Sequence, residues 1–220
     1  NLSEPWAPNP MITMWGRDLP MLFDANVKYP YWFPETMANF ESSWIALNLG
    51  MRLSWDASQA PDALVDESIA TFYGAAAAPM HRYWHHIDQA WVRAPDYAGA
   101  AWGYRRRFTP AVMRQARVFM DEALAACETP MERRRVDMAD ESLRQFERFM
   151  DMEEKLAAGD FRHLDRTADA WMETARELSA RYRENSAFYE RFSYRFEWVE
   201  KPHLNVARDA ARIAGQYTLL

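Results

Sequence analysis

Four carboxylates early in the chain, Asp18, Asp24, Glu35 and Glu41, stand beside an unusual density of aromatic rings. Tyr29, Tyr31, Trp32 and Phe33 crowd together around Pro30, and the run ends on Pro34-Glu35. Carboxyls and rings in such company suit glycoside cleavage. One carboxyl donates a proton to the leaving oxygen and a second stabilises or traps the oxocarbenium-like state. Apolar surroundings raise a carboxyl pKa and keep it a usable acid near neutral pH, while aromatic faces offer platforms for sugar rings. Glu35 fits the acid role best. Tyr31 and Trp32 would wall the concavity, with Trp15 and Asp18 as further substrate contacts. The competing reading makes Glu35 a surface acid in a proline-rich loop, and composition alone does not choose between the two.

A second constellation is His81-x3-His85-x2-Asp88, whose i, i+4, i+7 spacing shares one helix face and has the form of a metal-ligand set. That face sits about a quarter-turn from the apolar stripe of the same helix, which reads as a solvated flank, and no metal is assigned. Arg105-Arg106-Arg107 could meet an anionic group, although a helix approach with acids nearby accounts for it equally well. Asp137, Asp140 and Glu141, interleaved with Arg133 to Arg135, read as a solvated face held by i, i+4 pairs. Cys127 lies in an apolar helical pattern and reads as a small core residue rather than a nucleophile.

The elements that would position these groups are mostly helices. Met11 to Trp15 reads as a short buried strand and Val27 to Phe33 as an edge or irregular strand, restricted by its prolines. Ser42 or Ser43 is the expected N-cap of a helix reaching about Trp55. A strand-like run, an acid at its end and then a helix is the grammar of one βα unit, and barrel enzymes place their chemistry at such strand ends. Pro61 opens the next helix and Gly74 ends it. Met80, Tyr83, Trp84, Ile87 and Trp91 form the apolar stripe of a helix expected to start at Pro79. Arg93 to Arg107 reads as a junction. Beyond it come only helices: one capped by Thr109-Pro110, a long one opened by the capping box Thr129-Pro130-Met131-Glu132 and closed near Gly159, and one after Asp160 or Asp165 bearing Trp171. A last weak helix is expected from His203 to Gln216. The fold class is therefore mainly α, a helical bundle preceded by a short βα piece resembling the last units of a (β/α)8 barrel.

Composition narrows the function classes. Of 220 residues 49% are apolar, enough for a substantial core, and the formal charge of -6 is the wrong sign for a nucleic-acid partner. No apolar run is long enough to span a membrane. A single cysteine precludes an internal disulfide. Phosphate-binding glycine loops, the nucleophile elbow and zinc-protease motifs are absent, and no cofactor is indicated. The opening at Asn1, followed by a proline-rich stretch without a period able to found a domain, reads as a start within a longer protein.

The run ALNLGMRLSWDASQAPDALVDESIATFYGAAAAPMHRYWHHID resembles the C-terminal part of the bacterial family known as domain of unknown function 4838. Its hallmarks stand here as Arg52-Leu53-Ser54-Trp55-Asp56, Asp62 to Glu67, and Phe72-Tyr73-Gly74 through Tyr83. The likeness spans residues 20 to 92 and fades across the helices after 109. Members are similar to barrel glycoside hydrolases, and some fall in glycoside hydrolase family 163, endo-acting β-N-acetylglucosaminidases on N-glycans. The resemblance implies that residues 1–108 are the end of a barrel with its closing helices and residues 109–220 a helical C-terminal bundle. It implies a carbohydrate partner and a secreted or periplasmic parent. Most of the barrel and a second catalytic acid would be supplied from upstream. Glu35 maps to the acid near the last barrel strand, with Glu41 second. The rival class is a non-catalytic, all-helical binding or assembly module. A third class, a lyase-like enzyme built on a helical toroid, is suggested only by the abundance of Trp, Tyr and His.

Overall fold

The computed structural model describes residues 7–27, 40–94, 103–162, 164–183 and 209–212, which are helical with no strand among them. In chain order they form α1 (Ile12–Asp24), α2 (Phe40–Trp55), α3 (Pro61–Tyr73), a 3-10 turn (Gly74–Ala76), α4 (Ala77–Val92), the one-turn α5 (Tyr104–Arg107), α6 (Pro110–Ala126), α7 (Pro130–Ala158) and α8 (Leu164–Arg183). Residues 209–212 form a further helical turn, within the stretch where a weak last helix is expected.

Local chemistry accounts for several of these boundaries. Pro61 occupies the first turn of α3, with Asp62 beside the positive end of the helix dipole. Gly74 follows at φ 56, a conformation that side chains disfavour. Thr109 caps α6 through its hydroxyl, and Thr129 with Glu132 completes a reciprocal capping box at the head of the 29-residue α7. Gly159, left-handed at φ 73, closes α7.

The apolar stripes then pack. Met80, Tyr83, Trp84 and Ile87 of α4 are all buried, and Trp91, half-buried, extends the stripe against Tyr104 and Phe108. One continuous cluster runs from Ala7 through α1 to α8. In it α4 packs on α6 while α2 and α3 lie against α7, so the same core is shared on both sides of residue 108. Its polar centre is the hydroxyl of Tyr73, which accepts the indole N–H groups of Trp44 and Trp84, each at 3.2 Å. At the far end α7 and α8 are tied reciprocally: Gln145 donates to the Trp171 carbonyl at 2.7 Å, and the Trp171 indole donates to the Gln145 carbonyl at 2.9 Å.

Several expectations change. Met11 to Trp15 is not a strand: Ile12 to Asp24 is a helix, with Pro20 inside it. The opening residues therefore do found an element, and Ala7 to Pro10 are buried, held where the Trp91 indole donates to the Pro8 carbonyl at 2.8 Å. The α1 sequence is itself amphipathic at the helical period, with Ile12 and Leu19 buried two turns apart. Met11, its N-cap, offers no side-chain cap, and Asp88 of α4 supplies one instead by accepting the Thr13 N–H at 3.2 Å and the Thr13 hydroxyl. Ser42 and Ser43 lie inside α2, which begins at Phe40. Pro79 falls in the first turn of α4 rather than opening it, because the 3-10 turn leads straight into Ala77. Most of the second strand candidate, Val27 to Phe33, lies outside the described residues.

Candidate functional site

A groove of about 400 Å³ opens between α2, α3 and the first part of α7. Its size falls within the range of roughly 300–1,000 Å³ typical of small-molecule sites. Trp44, Leu47 and Met51 from successive turns of α2, with Phe72 from α3, make its apolar wall. The Trp44 and Phe72 rings lie 4.6 Å apart and tilted by 30°. Arg135 of α7 reaches over the Phe72 ring at 4.8 Å and donates to the Phe72 carbonyl at 2.7 Å, which fixes the guanidinium as one end of the groove. Ser68 donates to the Asn48 side-chain carbonyl at 2.8 Å, and Arg52 pairs with Glu67 at 2.7 Å at the rim. The arrangement presents hydrogen-bonding side chains beside an apolar wall. Glu67 is the single carboxylate among the described lining residues.

The residues expected to form a glycosidase centre stand as follows. Trp15 lies on α1, half-buried and packed on the core. Asp18, on the same helix, accepts from its neighbour Arg17 at 2.6 Å. Glu41 sits in the first turn of α2, and α1 packs on α2, so Asp18 and Glu41 belong to neighbouring helices. Tyr31, Trp32 and Glu35 lie outside the described residues.

The histidine motif resolves differently from its sequence reading. Asp88 is buried, 1% exposed, and serves the head of α1, so that end of the flank is not solvated, while His81 at the other end is 43% exposed. In its place Asp66 of α3 comes to the histidines. His81 Nε2 lies 2.9 Å from an Asp66 carboxylate oxygen, the His81 and His85 ring centres lie 4.1 Å apart with the planes tilted by 31°, and one ligand atom from each of the three residues falls within 4.8 Å of the others. His85 Nε2 is buried without a hydrogen-bond partner. Desolvation first, and His81 second, hold the His85 pKa below its ordinary value, which disfavours the charged imidazolium. Asp66 was invisible as a partner because the contact crosses from α3 to α4; the only sequence signal is its placement on the polar side of α3, one helix before the histidines.

The other charged motifs are structural. Arg105 pairs with Glu154 at 3.1 Å, and the Arg107 guanidinium lies 5.3 Å from the Trp91 ring. Arg133 and Asp137 form the expected exposed i, i+4 pair at 2.8 Å. Asp140 departs from that pattern. It is 5% exposed and accepts from Arg144 at 2.7 Å and from Arg117 of α6, which also grips Glu147 through two nitrogens at 2.9 and 2.7 Å. Partial burial works against the Arg117 charge, but the hydrogen bonds that it donates to Glu147 and Asp140 outweigh it and hold its pKa above the ordinary value. Cys127 is packed against the core, donates to the Ala123 carbonyl, and has its thiol pKa pushed up by burial, as suits a core residue rather than a nucleophile. Comparison with protein-family models, with curated proteins and with solved structures finds no match for the chain.

Proposed function

We propose that this chain is the C-terminal portion of a carbohydrate-active glycoside hydrolase, residues 1–108 supplying the end of its barrel with the closing helices and residues 109–220 a helical bundle, and that by itself it contributes glycan binding rather than complete catalysis. The observation that carries the reading is the α2–α3–α7 groove. Its walls come largely from the stretch that resembles the family 4838 proteins, and it joins an aromatic face to amide, hydroxyl and guanidinium groups. A β-N-acetylglucosaminide presents hydroxyls and an acetamido group that Asn48, Ser68, Thr71 and Arg135 would meet, and an apolar ring face that would lie on Leu47 and Met51. The catalytic acid of the parent would be Glu35, with Glu41 as the alternative.

Titration of the chain with N,N′-diacetylchitobiose, followed by NMR, tests the reading. Shifts confined to Asn48, Ser68, Thr71 and their neighbours are expected, with affinity of roughly millimolar order, near -4 kcal/mol. Thr71→Trp should block the groove and abolish them. No shift at these residues near saturation of the sugar's solubility would end the glycan reading.

A second reading, a helical assembly surface, is favoured by one feature. Met51 and Trp55 stand one turn apart on α2 and are 52% and 91% exposed, a pair of large apolar side chains left facing water. Sedimentation of the wild type beside Trp55→Ser separates the two: concentration-dependent association lost on substitution supports assembly, and a monomer in both cases removes it.

A further inference from the structure

We propose that Asp66, His81 and His85 form a binding site for a divalent transition cation of the Zn2+ class, clamping α3 to α4 with coordination positions left open to solvent. The donor set is two imidazoles and one carboxylate, which suits Zn2+, Co2+ and Ni2+ better than Mg2+ or Ca2+. His81 and His85 are one turn apart on α4 with ring centres 4.1 Å apart, and Asp66 approaches His81 to 2.9 Å from the neighbouring helix. Ligands at about 2.1 Å from a tetrahedral ion lie about 3.4 Å from one another. The three ligand atoms here span separations up to 4.8 Å, so small side-chain rotations bring them onto one ion.

Two further features favour a cation. His85 Nε2 is buried and has no hydrogen-bond partner, so the imidazole carries an unmet polar demand at the edge of the cluster. Asp62 and Asp88 also act on His85 with negative charge, beyond Asp66 itself. The outer two ligands remain accessible, with Asp66 61% and His81 43% exposed, which leaves room for water or an incoming oxygen ligand on the ion.

The test uses the untagged, chelator-stripped full chain, titrated with Zn2+ by calorimetry and with Co2+ by visible absorption. One saturable equivalent, a Co2+ ligand-field band, and a Tm that rises with free Zn2+ are expected. Asp66→Asn, His81→Asn and His85→Gln should each weaken binding by roughly ten-fold or more, since even partners outside the coordination shell act on that scale. His86→Gln is the control: that ring lies 3.0 Å from the Val112 carbonyl, away from the cluster, and its loss should leave affinity unchanged. Asp66 and His81 are exposed enough that their variants should fold, as circular dichroism would verify, and these two decide the matter if His85→Gln does not. No saturable binding by the folded wild type, or wild-type affinity in folded Asp66→Asn and His81→Asn, overturns the proposal. Equal loss in His86→Gln overturns it as well.

Discussion

Replacing Tyr73 by Phe removes one oxygen from the centre of the fold and leaves the ring in place. That oxygen accepts two indole N–H groups, from Trp44 on α2 and Trp84 on α4, both at 3.2 Å. The donors are 6% and 1% exposed, so water cannot readily replace the lost acceptor. The ring contacts of Tyr73 with Trp44 and Phe72, at 5.8 and 5.0 Å, survive the substitution, and no appreciable cavity opens. Leaving one buried donor unsatisfied costs about 1–3 kcal/mol. Both bonds sit at the long end of the usual range, which favours the lower part of that interval. Two donors together therefore give about 2–3 kcal/mol. With a urea m-value of about 2 kcal/mol/M, the unfolding midpoint should fall by about 1–1.5 M without a change in slope. In the Tyr73→Phe background, Trp84→Phe should cost less than it does in the wild type, because its N–H has already lost its acceptor. A loss below about 0.5 kcal/mol, or strict additivity of the two substitutions, would refute the view of Tyr73 as the shared acceptor of this core.

Gly74→Ala should destabilise the chain by about 2 kcal/mol, from a strained positive φ of 56 alone. The added Cβ would also meet Glu132 Oε1 at 2.1 Å and displace it from the Ala75 N–H, so a neutral result in thermal unfolding would contradict the described turn. Glu132 accepts backbone N–H groups from Ala75, Glu128 and Thr129, and in that order they hold its pKa below the ordinary carboxylate value. A depressed folded pKa means that its contribution is fully present above the unfolded value and is lost as pH falls through the folded one. Stability profiles of wild type and Glu132→Gln should therefore differ near neutrality and converge in acid; parallel profiles would exclude that role. In a parent protein carrying the barrel, Glu35→Gln should lower turnover on a β-N-acetylhexosaminide by about 10²-fold with the fold intact. Glu41→Gln, assayed beside it, reassigns the acid if it alone shows the loss.

What the sequence determined by itself is local. The capping box at Thr129, the prolines opening α3, α6 and α7, the glycines after α3 and α7, and the stripe from Met80 to Ile87 are legible because each depends on backbone conformation and helical period within a few residues. What only tertiary structure decided is where charge goes. Met11 to Trp15 has the β-branched and bulky look of a strand, yet it heads a helix whose Thr13 N–H is accepted by Asp88 from 75 positions away. Asp140 sits in a run of surface charge by pattern, but packing of α6 on α7 places Arg117 over it and makes its burial affordable. The histidine pair is visible as a pair in the sequence, where spacing on one helix sets Asp88 beside it. The α3–α4 pairing puts Asp66 there instead. A side chain's periodicity says which face of its helix it occupies; which opposing charge that face meets is set by how helices distant in sequence pack together.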